Sequence, residues 1–348
     1  MRVGCRLVNN MIYNNKNRIE WVDIAKGIGI LLVIFCHLTN LEKQQLSNIF
    51  VFPFHMPLFF FLSGFVFSNK RNFKSFFIRK LKSIYIPYAF FLSIDFLLGY
   101  IRNSNINVKD FCFSFLMHLI GYDFNSNRYF FNVVLWFLIV LFFAEIIFYF
   151  ISKLHSSIIF IISICCMVLI NFIRIELPFA ISRVIAAVIF ISLGYLARKI
   201  YKNLRENIIF NNKLLYILIS CLSLVLLLLS NIFFRNIVSM SSMTYGNIFL
   251  FIGNAILGII AICFISMLFQ KIMLVAYLGR NSLIILCTHY YFCRLFIPYI
   301  FKLFNINNLL YNLGTELLLT ICVTMISIPI IMFCNKFLYF IFGKNRNN

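Results

Sequence analysis

Asp23, Lys26 and His37 are three ionisable residues within fifteen positions of a run that is otherwise apolar, DIAKGIGILLVIFCH. On a helix, Lys26 and His37 are eleven steps apart and so only about 20° apart around the axis; Asp23 lies about 40° from His37 on the other side. The three make one polar stripe over about 21 Å of rise. A histidine on such a stripe suits proton transfer near neutral pH, and a lysine suits an anion. Gly27 and Gly29 leave the backbone bare beside them, so a neighbouring helix or a ligand can come close. A second histidine, His55, follows in the segment Pro53-Phe54-His55-Met56-Pro57. The two prolines there distort the backbone, as happens where a membrane helix lines a site. The plainer alternative is an Asp23–Lys26 pair snorkelling to the surface, with His37 bonded to a neighbouring helix. Two histidines at similar depth weigh against it.

These residues need a scaffold that accepts polar groups among apolar ones. The chain is 62% hydrophobic and 12% charged, where a soluble domain carries about 25% charged residues. Apolar runs of about 20 residues, enough to cross a hydrocarbon core of about 30 Å, occur at roughly 24–41, 49–68, 84–101, 133–152, 157–173, 179–197, 213–234, 246–269, 282–300 and 313–335. The expected fold class is therefore all-α, a polytopic transmembrane bundle of about ten spans. The segment 106–120 is shorter and begins with charge, and reads as an interfacial or re-entrant helix. Basic residues collect in alternate loops, with Lys70, Arg71, Lys74, Arg79, Lys80 and Lys82 in one and Arg198, Lys199, Lys202, Arg205 and Lys213 in another. The positive-inside rule then puts both termini in the cytoplasm. One membrane domain over 18–342 is expected between polar tails at 1–17 and 343–348.

The same pattern excludes other classes. The 31 Lys and Arg residues are dispersed between spans and form no stripe or arm, which argues against nucleic acid. The 11 cysteines show no CxxC pair and no Cys/His ligand spacing, so no metal site is expected. The first 17 residues are polar and basic and read as no cleavable signal peptide.

WVDIAKGIGILLVIFCHL followed by FHMPLFFFLSGFVF resembles the start of the acyltransferase family 3 membrane proteins. The likeness is closest to the branch described as fucose 4-O-acetylase-like, from surface polysaccharide clusters. That family carries a basic residue, ten intervening residues and a histidine in its first span, here Lys26 and His37. Lysine stands where the family usually has arginine, and it lacks arginine's planar two-point contact. Arg79 and Lys82 before Ile86-Pro87-Tyr88 are similar to the family's basic-x-x-basic element. Trp136-Phe137-Leu138, Leu193-Gly194-Tyr195 and Leu278-Gly279-Arg280-Asn281-Ser282-Leu283 with His289 are similar to its later blocks.

The resemblance implies an integral membrane O-acyltransferase. Its donor would be acetyl-CoA and its acceptor a hydroxyl of a surface glycan or lipid-linked sugar, in the cytoplasmic membrane of a bacterium. His37 is then the expected general base, with His289 and His55 as lesser candidates for acceptor positioning or proton relay. Lys26, Arg79 and Lys82 are the expected donor-binding residues, and Asp23, Asn281, Ser282 and Trp136 complete the candidate site. Trp136 has a simpler explanation as an anchor in the aromatic belt. Asp95 and Glu145 lie inside spans, and either is a candidate to orient a histidine. The rival reading is a transporter or flippase of lipid-linked sugars, disfavoured by the absence of an inverted repeat.

Overall fold

A computed structural model describes residues 18–38, 50–102, 107–122, 132–173, 177–204, 212–297 and 313–344. The polar tail at 1–17, the ends of the runs at 39–41 and 298–300, Arg205 and residues 345–348 lie outside the described residues.

Backbone groups in hydrocarbon must be satisfied within their own segment, so the apolar runs become helices. In chain order they are α1 (Glu20–Leu38), α2 (Phe52–Val66), α3 (Phe73–Lys80), α4 (Ile86–Arg102), α5 (Val108–Leu119), α6 (Trp136–Ile151) and α7 (Ser156–Ile173). There follow α8 (Ile181–Leu204), α9 (Lys213–Phe234), α10 (Ile248–Leu268), α11 (Met273–Arg280), α12 (Ser282–Tyr291) and α13 (Leu313–Phe337). Asn72, Asn107, Asn212 and Asn247 each accept a backbone N–H from the first turn of the helix they precede, the usual N-cap arrangement. A π-helical turn at Leu81–Tyr85 joins α3 to α4, and another at Phe292–Phe296 extends α12.

Seven helices of the described residues are long and apolar enough to cross a membrane, among them the continuous Phe73–Arg102. Phe52–Val66 and Ser157–Phe172 are shorter apolar helices. With the broken segment formed by α11, α12 and the second π turn, these account for the ten expected runs. The protein is a multi-pass helical membrane protein. α5, at 12 residues, is too short to span, since a crossing takes about 20. It turns back along α4: Phe96 packs on Phe111 and Phe115, Tyr88 donates a hydrogen bond to the His118 carbonyl, and Tyr85 donates one to the Leu119 carbonyl at 3.2 Å.

α1 is the hub. It packs against α2, α10, α11, α12, α13 and the second π turn, whereas α9 leans on α10 and turns Leu218, Leu222, Ile232 and Phe233 outward. Two glycine crossings set the tightest contacts. In one, Gly27 of α1 meets the Val275 carbonyl while Gly279 of α11 meets the Asp23 carbonyl. In the other, Gly64 of α2 meets the Ile191 carbonyl and Gly194 of α8 meets the Phe61 carbonyl. Small residues let membrane helices approach backbone to backbone, and a Cβ at any of the four would collide with backbone, which cannot swing aside as a side chain can.

Gly253 of α10, by contrast, faces open space. Gly279→Val is expected to lower the melting temperature in detergent, by an overpacking penalty of about 1–3 kcal/mol or more, while Gly253→Val leaves it nearly unchanged. Equal melting of the two variants would refute the crossing's importance.

Candidate functional site

α1 carries two polar stations, one at each end. His37 lies one residue before the helix ends, and Lys26 lies in its second turn. The eleven-step spacing puts about 16 Å of rise between them.

At the His37 end, α12 supplies His289 and Tyr290. The His37 and His289 rings are 5.4 Å apart between centroids, and Tyr290 meets His37 edge-on at 5.2 Å. His55, on α2, is within electrostatic range of His37, so all three expected histidines converge. His289 is fully buried, and its Nδ1 lies 2.8 Å from the Ile285 carbonyl. His55 has the same arrangement with the Val51 carbonyl at 3.0 Å. A carbonyl only accepts, so Nδ1–H donates in both rings, and the neutral tautomer leaves a lone pair on Nε2. Nε2 of His289 is buried without a partner. His37 forms no hydrogen bond among the described residues and is only partly buried, so its ring nitrogens are open to a ligand.

Beside this cluster, buried Asp95 accepts the Asn132 backbone N–H at 2.9 and 3.0 Å and the Tyr291 hydroxyl at 3.4 Å. The Asn132 amide donates to the Cys287 carbonyl at 3.1 Å. Asp95 thus ties α4, the approach to α6 and α12 together and satisfies its oxygens there. Its link to the histidines runs through the helix bearing Tyr290 and Tyr291, not through a bond to a ring. Trp136 is 5% exposed and packs on Phe137. It follows directly on the short turn Val133–Leu135, which packs against α12 and α4. Trp136 is an interior residue, and the aromatic-belt explanation does not hold.

At the Lys26 end, charges of both signs gather. Lys26 lies within electrostatic range of Asp23, Lys80, Arg18 and Glu145, and Asp23 within range of Arg18 and Arg280. Lys80 forms an ion pair with Glu145, which also accepts the Ser63 hydroxyl. Glu145 therefore holds a cation and not a histidine. Arg79 and Lys82, the expected partners of Lys26, are both exposed, and Arg79 lies against Phe76 with 5.8 Å from its guanidinium carbon to the ring centroid. Lys80, between them, is the residue of that basic run that turns inward. A carboxylate alone in an apolar span needs a cation, and that demand is the signal by which Lys80 and Glu145 can be matched.

Asn281 breaks the chain between α11 and α12. Its side-chain oxygen accepts from Asn335 and from the Lys344 ammonium, each at 3.0 Å, and its amide donates to the Tyr277 carbonyl at 2.9 Å. It fastens the C-terminal segment to the basic end of the bundle and stands about 12 Å of helical rise from His289. Ser282, half-buried, opens α12 at the same level. These two residues belong to the Lys26 end.

Burial, and then the nearby Arg18, push the Lys344 ammonium down from its usual value to about 8. A lysine depressed in the fold disfavours folding while charged, so stability is expected to rise as pH climbs through the window from about 8 to the unfolded value of about 10.4. Melting curves across that window should show the rise in wild type and a smaller one in Lys344→Met. An identical rise in both would remove Lys344 as its source.

The family model described as an acyltransferase domain matches residues 19–336. No curated protein and no solved structure matches the chain. The matched stretch begins just before α1 and ends within α13, so both stations of α1 and all their partner helices lie inside it. The chain belongs to this family of acyltransferases.

Proposed function

We propose that the protein transfers an acetyl group from acetyl-CoA to a hydroxyl of a surface glycan or lipid-linked sugar. The protein would work in the cytoplasmic membrane of a bacterium, with its basic end in the cytoplasm. The observation that carries this reading is His37, partly buried, free of hydrogen bonds among the described residues, and in ring contact with His289 and Tyr290.

Transfer from a thioester to a hydroxyl needs a base at the hydroxyl, a grip on the donor and a way to hold them in line. His37 acts as the base. His289 and His55, each fixed by a backbone carbonyl, offer Nε2 lone pairs that orient acceptor hydroxyls. Acetyl-CoA enters at the basic end, where Lys26, with Lys80 and Arg18 around it and Arg280 near Asp23, faces its phosphates. The long pantetheine arm runs along α1 and delivers the thioester to His37. Arg79 and Lys82, exposed at the same end, steer the anionic donor inward.

The test uses membranes from cells expressing the protein, labelled acetyl-CoA and lipid-linked glycan from the host. Wild type is expected to label the glycan, and His37→Ala at equal abundance to lose on the order of a hundredfold or more in rate, as befits a general base. Label that persists would move the base to His289 or His55. Absence of label with wild type would refute the proposed donor and acceptor.

Lys26 generates a second expectation. Removing one charge-assisted contact to a phosphate costs about 1.5–3 kcal/mol, so Lys26→Gln should raise the donor KM on the order of tenfold while kcat falls little. Arg79→Gln, whose side chain is exposed, should have the smaller effect. A fall in kcat at unchanged KM would place Lys26 outside the donor grip.

A further inference from the structure

Arg294 has no role in the reading above. It lies in the π-helical turn Phe292–Phe296, which packs against α1. Its guanidinium carbon is 5.7 Å from the Tyr290 ring centroid, and Tyr290 in turn meets His37. His37, Tyr290 and Arg294 thus form a continuous file, with Arg294 within electrostatic range of His37. Among the described residues Arg294 makes no ion pair, and its Nε is buried without a hydrogen-bond partner. A guanidinium N–H withheld from both water and protein is destabilising. A second orphan, Nε2 of fully buried His289, belongs to the same cluster. Irregular backbone of this kind within membrane helices occurs where it lines a site.

We propose that Arg294 stabilises the negative charge that develops on the acyl carbonyl oxygen during transfer, an inference that rests on the acyl-transfer reading. As the acceptor hydroxyl gives its proton to His37, its oxygen bonds to the thioester carbon and the carbonyl electron pair moves onto oxygen. Collapse restores the C=O bond and breaks the C–S bond, and the departing thiolate takes the proton back from His37. The products are the ester and the free thiol, with no oxidant or further reactant. The oxyanion forms within reach of His37, in a region of low dielectric where a fixed cation is most effective. Lys26 is about 16 Å of rise away and cannot serve. Arg294 is held at the right end of α1 by Tyr290, with an N–H uncommitted in the resting protein.

The experiment compares wild type, Arg294→Lys, Arg294→Gln and Arg294→Ala in lipid nanodiscs, with labelled acetyl-CoA and host lipid-linked glycan. Arg294→Gln is expected to lower kcat by about 10²–10³, the range for removing an oxyanion donor, with both KM values within about threefold. Arg294→Lys should recover part of the rate, and millimolar guanidinium ion should restore part of it to Arg294→Ala. A rise in acceptor KM with kcat retained would make Arg294 an anchor for an anionic acceptor and overturn the proposal. So would a loss that guanidinium fails to relieve and that accompanies a lower melting temperature. Silence of the wild type itself would overturn the acyl-transfer reading, and this inference with it.

Discussion

The crossing of α1 and α11 at Gly27 and Gly279 is the constraint on which the rest of the arrangement depends. α1 carries both Lys26 and His37, and α11 leads directly into α12 and the π turn, with His289, Tyr290 and Arg294. Backbone contact between Gly27 and Val275, and between Gly279 and Asp23, fixes the depth at which the second segment starts relative to the first. Beyond the break at Asn281, the rise of α12 then brings the His289 turn level with His37. Asn281 completes the device by breaking the helix just after the crossing and tethering the break to Asn335 and Lys344. The register of the histidine cluster is therefore decided about three turns away from it, by two residues without side chains.

The two stations differ in how their polar groups are satisfied. At the Lys26 end, Glu145 is matched by Lys80 and Ser63, and Asp23 sits among cations. At the His37 end, Nε2 of His289 and Nε of Arg294 have no partner, and His37 has no hydrogen bond among the described residues. Burying a polar group unpaired costs free energy that a structural role would not explain. Asp95 shows the contrast at close range: it is equally buried and is met by Asn132 and Tyr291. Other buried polar atoms without a partner, such as Trp21 Nε1 and Tyr245 OH, stand singly elsewhere in the bundle, whereas His289 Nε2 and Arg294 Nε fall in the one cluster that also holds His37.

Much of this is legible in the sequence. The apolar runs dictate helices because in lipid the backbone has no alternative, and the polar stripe of α1 follows from helical periodicity. The segment 106–120 is too brief to cross, and α5 turns back against α4. What escapes is pairing across helices. Periodicity places Arg79 and Lys82 three apart on one face, yet the π turn that begins at Leu81 alters the phase, and Lys80 is the residue turned to Glu145. Arg294 carries no signal of its own, because one arginine near the end of a span reads as an interfacial anchor; only the contact with Tyr290 brings it to His37. Trp136 is ambiguous for the same reason, since an aromatic residue near a helix end looks alike whether it faces lipid or protein.

The rigid separation of the stations has a consequence for specificity. A straight helix cannot shorten, so a donor held at Lys26 presents its reactive carbon at His37 only if its arm matches the distance between them. On the proposed donor path, the helix would act as a ruler, selecting the donor by length as well as by phosphate charge. On that path an acyl chain longer than acetyl would press on Tyr290 and Arg294, the residues filed beside His37, and an apolar tail against the guanidinium would offer it no partner. On the proposed mechanism, the same cation that suits an oxyanion would therefore disfavour a long acyl group, which supports the choice of acetyl as the group transferred.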